Sequence, residues 1–392
     1  MKKITLLISF LTLVLIYSCQ TKLVSKQSIV SKIDAQYSQL YDSIRNKFNN
    51  NHFLPRTIKN NKLRLVSSYD WTSGFYPGSL WYLFELTQDS KWKERALRYT
   101  KKLDTIQYWE GNHDVGFIIE CSYGNALKQI PSKKLERVIV QAAKSLSTRF
   151  HPKAGIIQSW NKNKTWNCPV IIDNMMNLEL LFNATKISGD SSYYKIAVSH
   201  ANTTLKNHFR KDNSSYHVLE YDPNTGIVNA YKTAQGYSDE SAWARGQAWG
   251  LYGFTVCYRE TKDPKYLDQA IKIANYIIKN PNLPKDKIPY WDYDVTKEKN
   301  TPRDVSASAI TASALFELAS LSTQNKELFV SFANKIMMSL STPRYFAEQG
   351  TNKGFILKHS VGSIPHGVEI DVPLNYADYY YLEALKRQQS LH

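Results

Sequence analysis

The sequence predicts an all-α fold, an (α/α)6 barrel in which six inner helices are ringed by outer ones. Three observations carry this expectation: a recurring turn-and-helix motif, six helix-like segments of small and aromatic residues, and amphipathic helices between them. The motif reads Ser/Thr-x-Asp-x-x-aromatic-x-x-x-Ala and stands at Thr87–Ala96, Ser188–Ala197 and Thr261–Ala270. Its Asp suits a helix N-cap, and the aromatic and the Ala four residues later share one face. Each copy follows an apolar run, Leu80–Leu86, Leu178–Ala184 and Leu251–Cys257, so the repeated unit is a helical hairpin.

The inner helices are expected to begin near Gly78, Gly116, Asp173, Arg245, Ser306 and Asn375. Their sequences (GSLWYLFEL, GFIIECSYGNAL, DNMMNLELLF, RGQAWGLYGF, SASAITASALFEL, NYADYYYLEAL) are hydrophobic almost all round, as helices with neighbours on both sides must be. Leu135–Thr148, Ser191–Asn207 and Tyr266–Lys279 are more one-faced and read as outer helices. Strand signals are thin: Tyr216–Leu219 and Gly354–Lys358 are expected to form small loop hairpins. The alternative is an open solenoid, which would end in a polar-faced unit, whereas the final helix here is the apolar DYYYLEAL. One catalytic-size domain is assigned to residues 30–392.

The 392 residues include 43% hydrophobic and 21% charged, which excludes a disordered chain. Nothing after residue 20 resembles a membrane span. The 26 Tyr, 15 Phe and 9 Trp exceed what a core usually needs and predict an aromatic-lined cleft. Residues 1–19 read as a lipoprotein-type signal: Lys2 and Lys3, the apolar Ile4–Tyr17, then Ser18-Cys19. Cys19 is then the lipidated residue and 20–29 a tether, placing an exported protein in the periplasm or on the outer membrane. Bulky Tyr17 leaves simple secretion open. Cys121, Cys168 and Cys257 have no CxxC pairing and are expected as buried free thiols, without a zinc site. The net charge of +16 is spread along the chain, with no arginine-rich arm, so nucleic acid is set aside as a partner. An anionic polysaccharide suits the compartment best, and the chain is expected to act as a monomer.

Loops entering the inner helices should gather at one mouth, and they hold most polar-aromatic clusters, such as YDWTSGFYPG and GYSDESAWARGQAW. Asp173 stands among Ile171, Ile172, Met175 and Met176, where apolar surroundings raise a carboxyl pKa and suit a general acid. A helix N-terminus pulls the other way, and a simple N-cap role stays open. Asp114, in a polar loop, reads either as the ionised partner of an acid/base pair or as a turn-stabilising residue. Arg245 and Trp249 share a helical face and offer an anion donor with a stacking plane, with Trp71 and Trp243 as further platforms. His217 lies on a loop, and His359–His366 is a donor-rich segment that reads equally as an anion site or a solvated turn. No Walker loop, GxGxxG, HExxH or GxSxG is present, so no cofactor or metal is expected.

In order, DWTSGFYPGSLW, HDVGF, IIDNMMNLELL, the His217 loop, TAQGYSDESAWARGQAWGLYGF and IPHGVEIDVPLNYADYYYLEAL resemble the unsaturated glucuronyl hydrolases of glycoside hydrolase family 88. The resemblance implies an α6/α6 barrel and removal of the Δ4,5-unsaturated uronic acid that polysaccharide lyases leave at the non-reducing end. It implies hydration of the C4=C5 enol ether, with Asp173 as general acid/base and Asp114 as the second essential carboxylate. Trp71, His217, Gln235, Arg245 and Trp249 align with substrate-holding positions, and no cofactor or metal is implied. Fragments of sulfated glycosaminoglycan or of ulvan are the expected substrates. The alternatives are an unsaturated rhamnogalacturonyl hydrolase, a non-catalytic glycan-binding lipoprotein, and an epimerase on the same toroid, which would want paired histidines.

Overall fold

A computed structural model describes residues 29–295, 298 and 300–391. The signal and tether expectations, with Cys19, lie outside the described residues. The chain opens with α1 over 29–44 and continues as alternating inner and outer helices. The inner set is α2 (Phe75–Thr87), the broken pair α4 (Val115–Ile119) and α5 (Asn125–Gln129), α7 (Leu178–Ser188), α9 (Ala244–Thr261), α11 (Val305–Leu321) and α13 (Asn375–Ser390). A π-type turn, Glu120–Gly124, joins α4 to α5, and a 3-10 turn, Ile172–Asn177, leads into α7. Each inner helix touches the next, and α13 returns to α2, closing the ring. The outer set is α3 (Ser90–Lys101), α6 (Lys133–Ser147), α8 (Ser191–Asn207), α10 (Pro264–Lys279) and α12 (Lys326–Leu340), completed by α1, whose Tyr37 hydroxyl donates to Asp378 of α13.

The recurring motif does what its residues predict. Asp89, Asp190 and Asp263 each accept from the backbone N–H two residues on, capping α3, α8 and α10. The residue before each Asp, Gln88, Gly189 or Lys262, is left-handed and turns the corner. The aromatic–Ala pairs Trp92/Ala96, Tyr193/Ala197 and Tyr266/Ala270 are buried. Inner helices are buried all round: every residue of α11 from Val305 to Ala319 is. One apolar core runs from Ile33 to Leu385, with a small satellite around Ile156, Cys168 and Tyr221. Cys121, Cys168 and Cys257 are free and buried. Among the described residues no helix is long and apolar enough to cross a membrane.

The aromatic surplus behaves differently from the expectation. Edge-to-face and tilted ring contacts link Trp71, Phe75, Phe117, Trp249, Tyr380 and Tyr252 as core packing beneath the mouth. The loop strands also differ. The His217 loop contributes Val218–Tyr221 as the central strand of a three-stranded sheet with Pro169–Ile171 and Val228–Lys232. Gly354–Lys358 forms no hairpin, because Asn352, Lys353 and Gly354 all take positive φ in a turn. The hairpin lies just beyond, Ser360–Ser363 with Val368–Val372, and another pairs Leu54–Lys59 with Lys62–Val66.

Candidate active site

Asp173 sits in the 3-10 turn before α7, 8% exposed, and caps neither that turn nor α7. Burial pushes its carboxyl up to about 7, while the Arg245 charge and the Trp249 indole N–H favour the anion. That indole faces Asp173 without closing a hydrogen bond of normal geometry, and Asp173 Oδ2 has no partner. Across from it, His217 Nε2 stands 3.7 Å from Asp173 Oδ2, likewise unpartnered. The backbone N–H groups of Ala234 (3.0 Å) and Gln235 (3.1 Å) both donate to His217 Nδ1. Nδ1 must therefore be bare, the proton sits on Nε2, and burial keeps the ring neutral with a pKa near 3. A neutral N–H donor thus faces a carboxyl across a gap slightly too wide for a direct bond.

Asp114 corrects an expectation. Its loop folds inward, its side chain is 13% exposed, and burial with the nearby Asp173 charge raises its pKa to about 8. It is therefore no freely ionised loop carboxylate, nor does its side chain cap α4. The two aspartates titrate as a pair in which neutral pH leaves a shared proton. Beside Asp114 lies a second neutral imidazole, His113, with Nε2 at 3.4 Å and burial depressing its pKa to about 3. Asn177 Oδ1 accepts from Phe117 N (2.8 Å), and its Nδ2 reaches His113 Nδ1 at 3.3 Å. A Cβ on Gly116 would lie 2.5 Å from Asn177 Oδ1, so only Gly lets α4 approach this amide. The proximity of His113 to Asp114 was visible in HDVGF, but Asn177 carried no signal beyond its spacing from Asp173.

Arg245 and Trp249 also differ from their expected roles. The Arg245 guanidinium is buried and donates to Asp304 Oδ2 (2.9 Å), Gln235 Oε1 (2.9 Å), Gly362 O (2.7 Å) and Val361 O, so both terminal nitrogens are occupied. Only its Nε lacks a partner. Arg245 therefore holds the His217 strap, α11 and the Ser360 hairpin together rather than presenting an open fork. Trp249 is wholly buried, with Phe117 and Tyr380 at its ring, and contributes its N–H edge instead of a stacking plane. Trp243 is buried too, supporting His217 at 4.6 Å and Arg245 at 4.5 Å. Trp71 is half-buried at the rim against Tyr376, with Arg56 over its ring. Arg56 in turn bridges Asp70 and Glu369, tying that rim to the Ser360 hairpin. His366 bonds Ser363 at the exposed hairpin tip, and His359 bonds Asp371.

Asp173, Asp114, His217, Gln235, Arg245, Trp249 and Trp71 thus surround one mouth, as the loops entering the inner helices dictate. Among the described residues no group of three or more His, Cys, Asp or Glu is placed to hold a metal ion. Two acids sharing a proton, with neutral imidazole donors beside them, can protonate one atom and then accept a proton from water.

Comparison with known proteins agrees with this reading. The chain is 44% identical over 399 residues to an unsaturated glucuronyl hydrolase of Formosa agariphila, covering 100% of this chain and 99% of the relative. A solved unsaturated glucuronyl hydrolase specific for heparin superposes with a TM-score of 0.88 at 46% identity, over 92% of this chain and 97% of that one. A variant of the Streptococcus agalactiae enzyme complexed with dGlcA-GalNAc6S gives 0.76 at 30% identity, covering 92% and 91%. The model of Glycosyl Hydrolase Family 88 matches residues 40–389. With its α/α toroid and its paired acids at one mouth, the chain belongs to glycosyl hydrolase family 88, an enzyme family of glycoside hydrolases.

Proposed function

We propose that the protein is an unsaturated glucuronyl hydrolase that removes the Δ4,5-unsaturated uronic acid from lyase-generated fragments of anionic polysaccharides. Sulfated glycosaminoglycan and ulvan fragments are the substrate classes, and the +16 charge supports an anionic one. The observation that carries the reading is the buried Asp114–Asp173 pair, with the unpartnered His217 Nε2–H facing an unpartnered Asp173 Oδ2.

Asp173 gives its proton to C4 of the enol ether, and the C4=C5 electron pair forms the new C–H bond. Positive charge develops at C5, where water adds and returns its proton to the Asp173 carboxylate. The C5 hemiketal then opens to a ketone and the C1 hemiacetal expels the remaining sugar, leaving an aldehyde. One carboxyl serves both proton steps, so the carboxylate-spacing rule of ordinary glycosidases does not apply. Asp114, whose carboxyl burial keeps protonated up to about pH 8, presents a neutral O–H donor beside Asp173. A bound uronate adds negative charge to the site and raises the acid further, keeping Asp173 protonated for the first step. His217 and Gln235 supply neutral donors for the sugar hydroxyls, Trp71 a ring at the rim, and Arg245 and Trp249 act on Asp173 from behind. Exported and lipid-anchored through Cys19, the enzyme would meet such fragments outside the cytoplasm.

The test is Asp173→Asn, assayed by loss of the conjugated enol ultraviolet absorbance and by calorimetric titration with an unsaturated disaccharide. Turnover should vanish while binding persists; unchanged turnover refutes the assignment. A panel of unsaturated disaccharides from glycosaminoglycan and from ulvan, each with and without sulfate, separates the two substrate classes.

A further inference from the structure

Opposite the mouth, the toroid has a floor made by the turns that leave the inner helices, among them Gln88–Asp89, Gly189–Asp190 and Lys262–Asp263. The chain enters the wall at this floor. α1 turns Ile33, Tyr37, Leu40 and Ile44, spaced for one helical face, onto the core, and Ile29 and Val30 already pack against it. Near its start, Asp34 accepts from the Trp92 indole (2.7 Å) and pairs with Lys91 (2.9 Å), both in the first turn of α3. Beyond its other end, Phe48 packs on Tyr99 near the end of α3. The chain then passes into the hairpin whose Thr57 hydroxyl donates to Pro373 O (2.6 Å), just ahead of α13 at the mouth. α1 and α3 therefore climb the wall side by side, and Ile29 is fixed at the floor.

Nine residues separate Cys19 from Ile29, so ten residue steps span at most about 33 Å when fully extended. α1 alone rises about 24 Å over 29–44, and the mouth hairpins stand beyond its end. Turning the mouth toward the anchor would spend nearly the whole reach on retracing the wall and would stretch the tether straight, at an entropic cost. Placing the floor toward the anchor requires no stretching. The floor also carries suitable charge. Lys32, Lys128, Lys134, Lys262 and Lys326 are exposed on it and outnumber the exposed acids Glu94, Asp190 and Glu327. Lysines at a membrane-facing surface are drawn to anionic headgroups. We infer that the anchored protein stands with this floor against an anionic lipid surface and its mouth turned outward, open to soluble fragments. This rests on the anchored reading above, and not on the hydrolase chemistry.

The experiment uses the full mature chain, with acylation of Cys19 checked by mass spectrometry, in vesicles of phosphatidylethanolamine containing one-quarter phosphatidylglycerol. A thiol-reactive fluorophore is placed on Ser90→Cys or Gln324→Cys at the floor, or on Lys164→Cys on the mouth side, all exposed positions. Cys121, Cys168 and Cys257 are buried and leave the introduced thiol to react. Melting curves and turnover of an unsaturated disaccharide confirm that each labelled protein is folded. Quenching by a headgroup-nitroxide lipid should be more than twice as strong at both floor labels as at Lys164→Cys. The contrast should shrink without phosphatidylglycerol, in high salt, and in a Lys134→Gln/Lys326→Gln background. Equal quenching at the three positions, or the strongest at Lys164→Cys, overturns the orientation. A contrast indifferent to lipid charge, salt and the lysine changes overturns the anionic contact. Absence of acyl chains on Cys19 overturns the anchored reading itself, while disaccharide turnover leaves the hydrolase standing.

Discussion

Replacing Asp114 by Asn should stabilise the protein while impairing it, and the gain should grow with pH. The Asp114 carboxyl rises from its ordinary 3.8 to about 8 on folding, because burial and the Asp173 charge both oppose ionisation. Between those values the folded state holds a proton that the unfolded chain releases, so stability falls as pH rises through that window. At 1.36 kcal/mol per unit the shift corresponds to at most ~6 kcal/mol at alkaline pH. Part of it is repulsion shared with Asp173, and Asn must still satisfy the polar contacts around it, so about 2 kcal/mol of gain at pH 8 is expected. Below pH 4 the two proteins should differ little, since both carry a neutral side chain there in either state. The assay is urea unfolding of wild type and variant from pH 4 to pH 9. A variant no more stable than wild type at pH 8, or a gain independent of pH, would refute the buried-pair account. The underlying logic is a site kept in tension for its chemistry.

Three further outcomes follow from the same structure. kcat/KM should fall as pH rises above about 7, because the acid at Asp173 must be protonated to act, and a flat profile to pH 9 in steady-state assays would contradict this. Arg245→Leu should cost about 3 kcal/mol in unfolding experiments, because buried Asp304 loses its countercharge and the Ser360 hairpin its tether. Lys262→Gly should raise stability by about 0.5–1 kcal/mol in melting or urea curves, since a left-handed residue with φ 58° ends α9 there.

The helical layout was legible because its signals are local. Asp89, Asp190 and Asp263 announce helix starts within three residues, and an all-round apolar pattern marks an inner helix without knowledge of its neighbours. The Leu54–Val66 hairpin went unread, although Asn60 and Asn61, both at positive φ, are the residues a tight turn between two strands favours. The Ser360 hairpin carried no such local signal. Glu369 and Asp371 take left-handed φ within its second strand, held by Arg56, Arg64 and His359, which are distant partners or tertiary neighbours. In the site, Asp173 and Asp114 were recognisable as acids from their segments, but the burial of Asp114 depends on folding against Asn177 and Asp173. The engagement of Arg245 depends on Asp304, 59 residues away, and on carbonyls 116 and 117 residues away. Spacing on one helix places a side chain; it does not reveal what arrives from another.

The toroid has a seam. The first described helix supplies the outer wall for the last, through Tyr37 and Asp378, and the rim indole of Trp71 leans on Tyr376 from the far side of that join, ring centres 5.0 Å apart. A nascent chain therefore owns both acids long before it owns a complete mouth. Until α13 docks, Trp71 has lost Tyr376, Arg56 lacks Glu369, and the Val361 and Gly362 carbonyls are not yet anchored. Catalytic competence should thus appear in a single late step during refolding, coincident with ring closure rather than with helix formation.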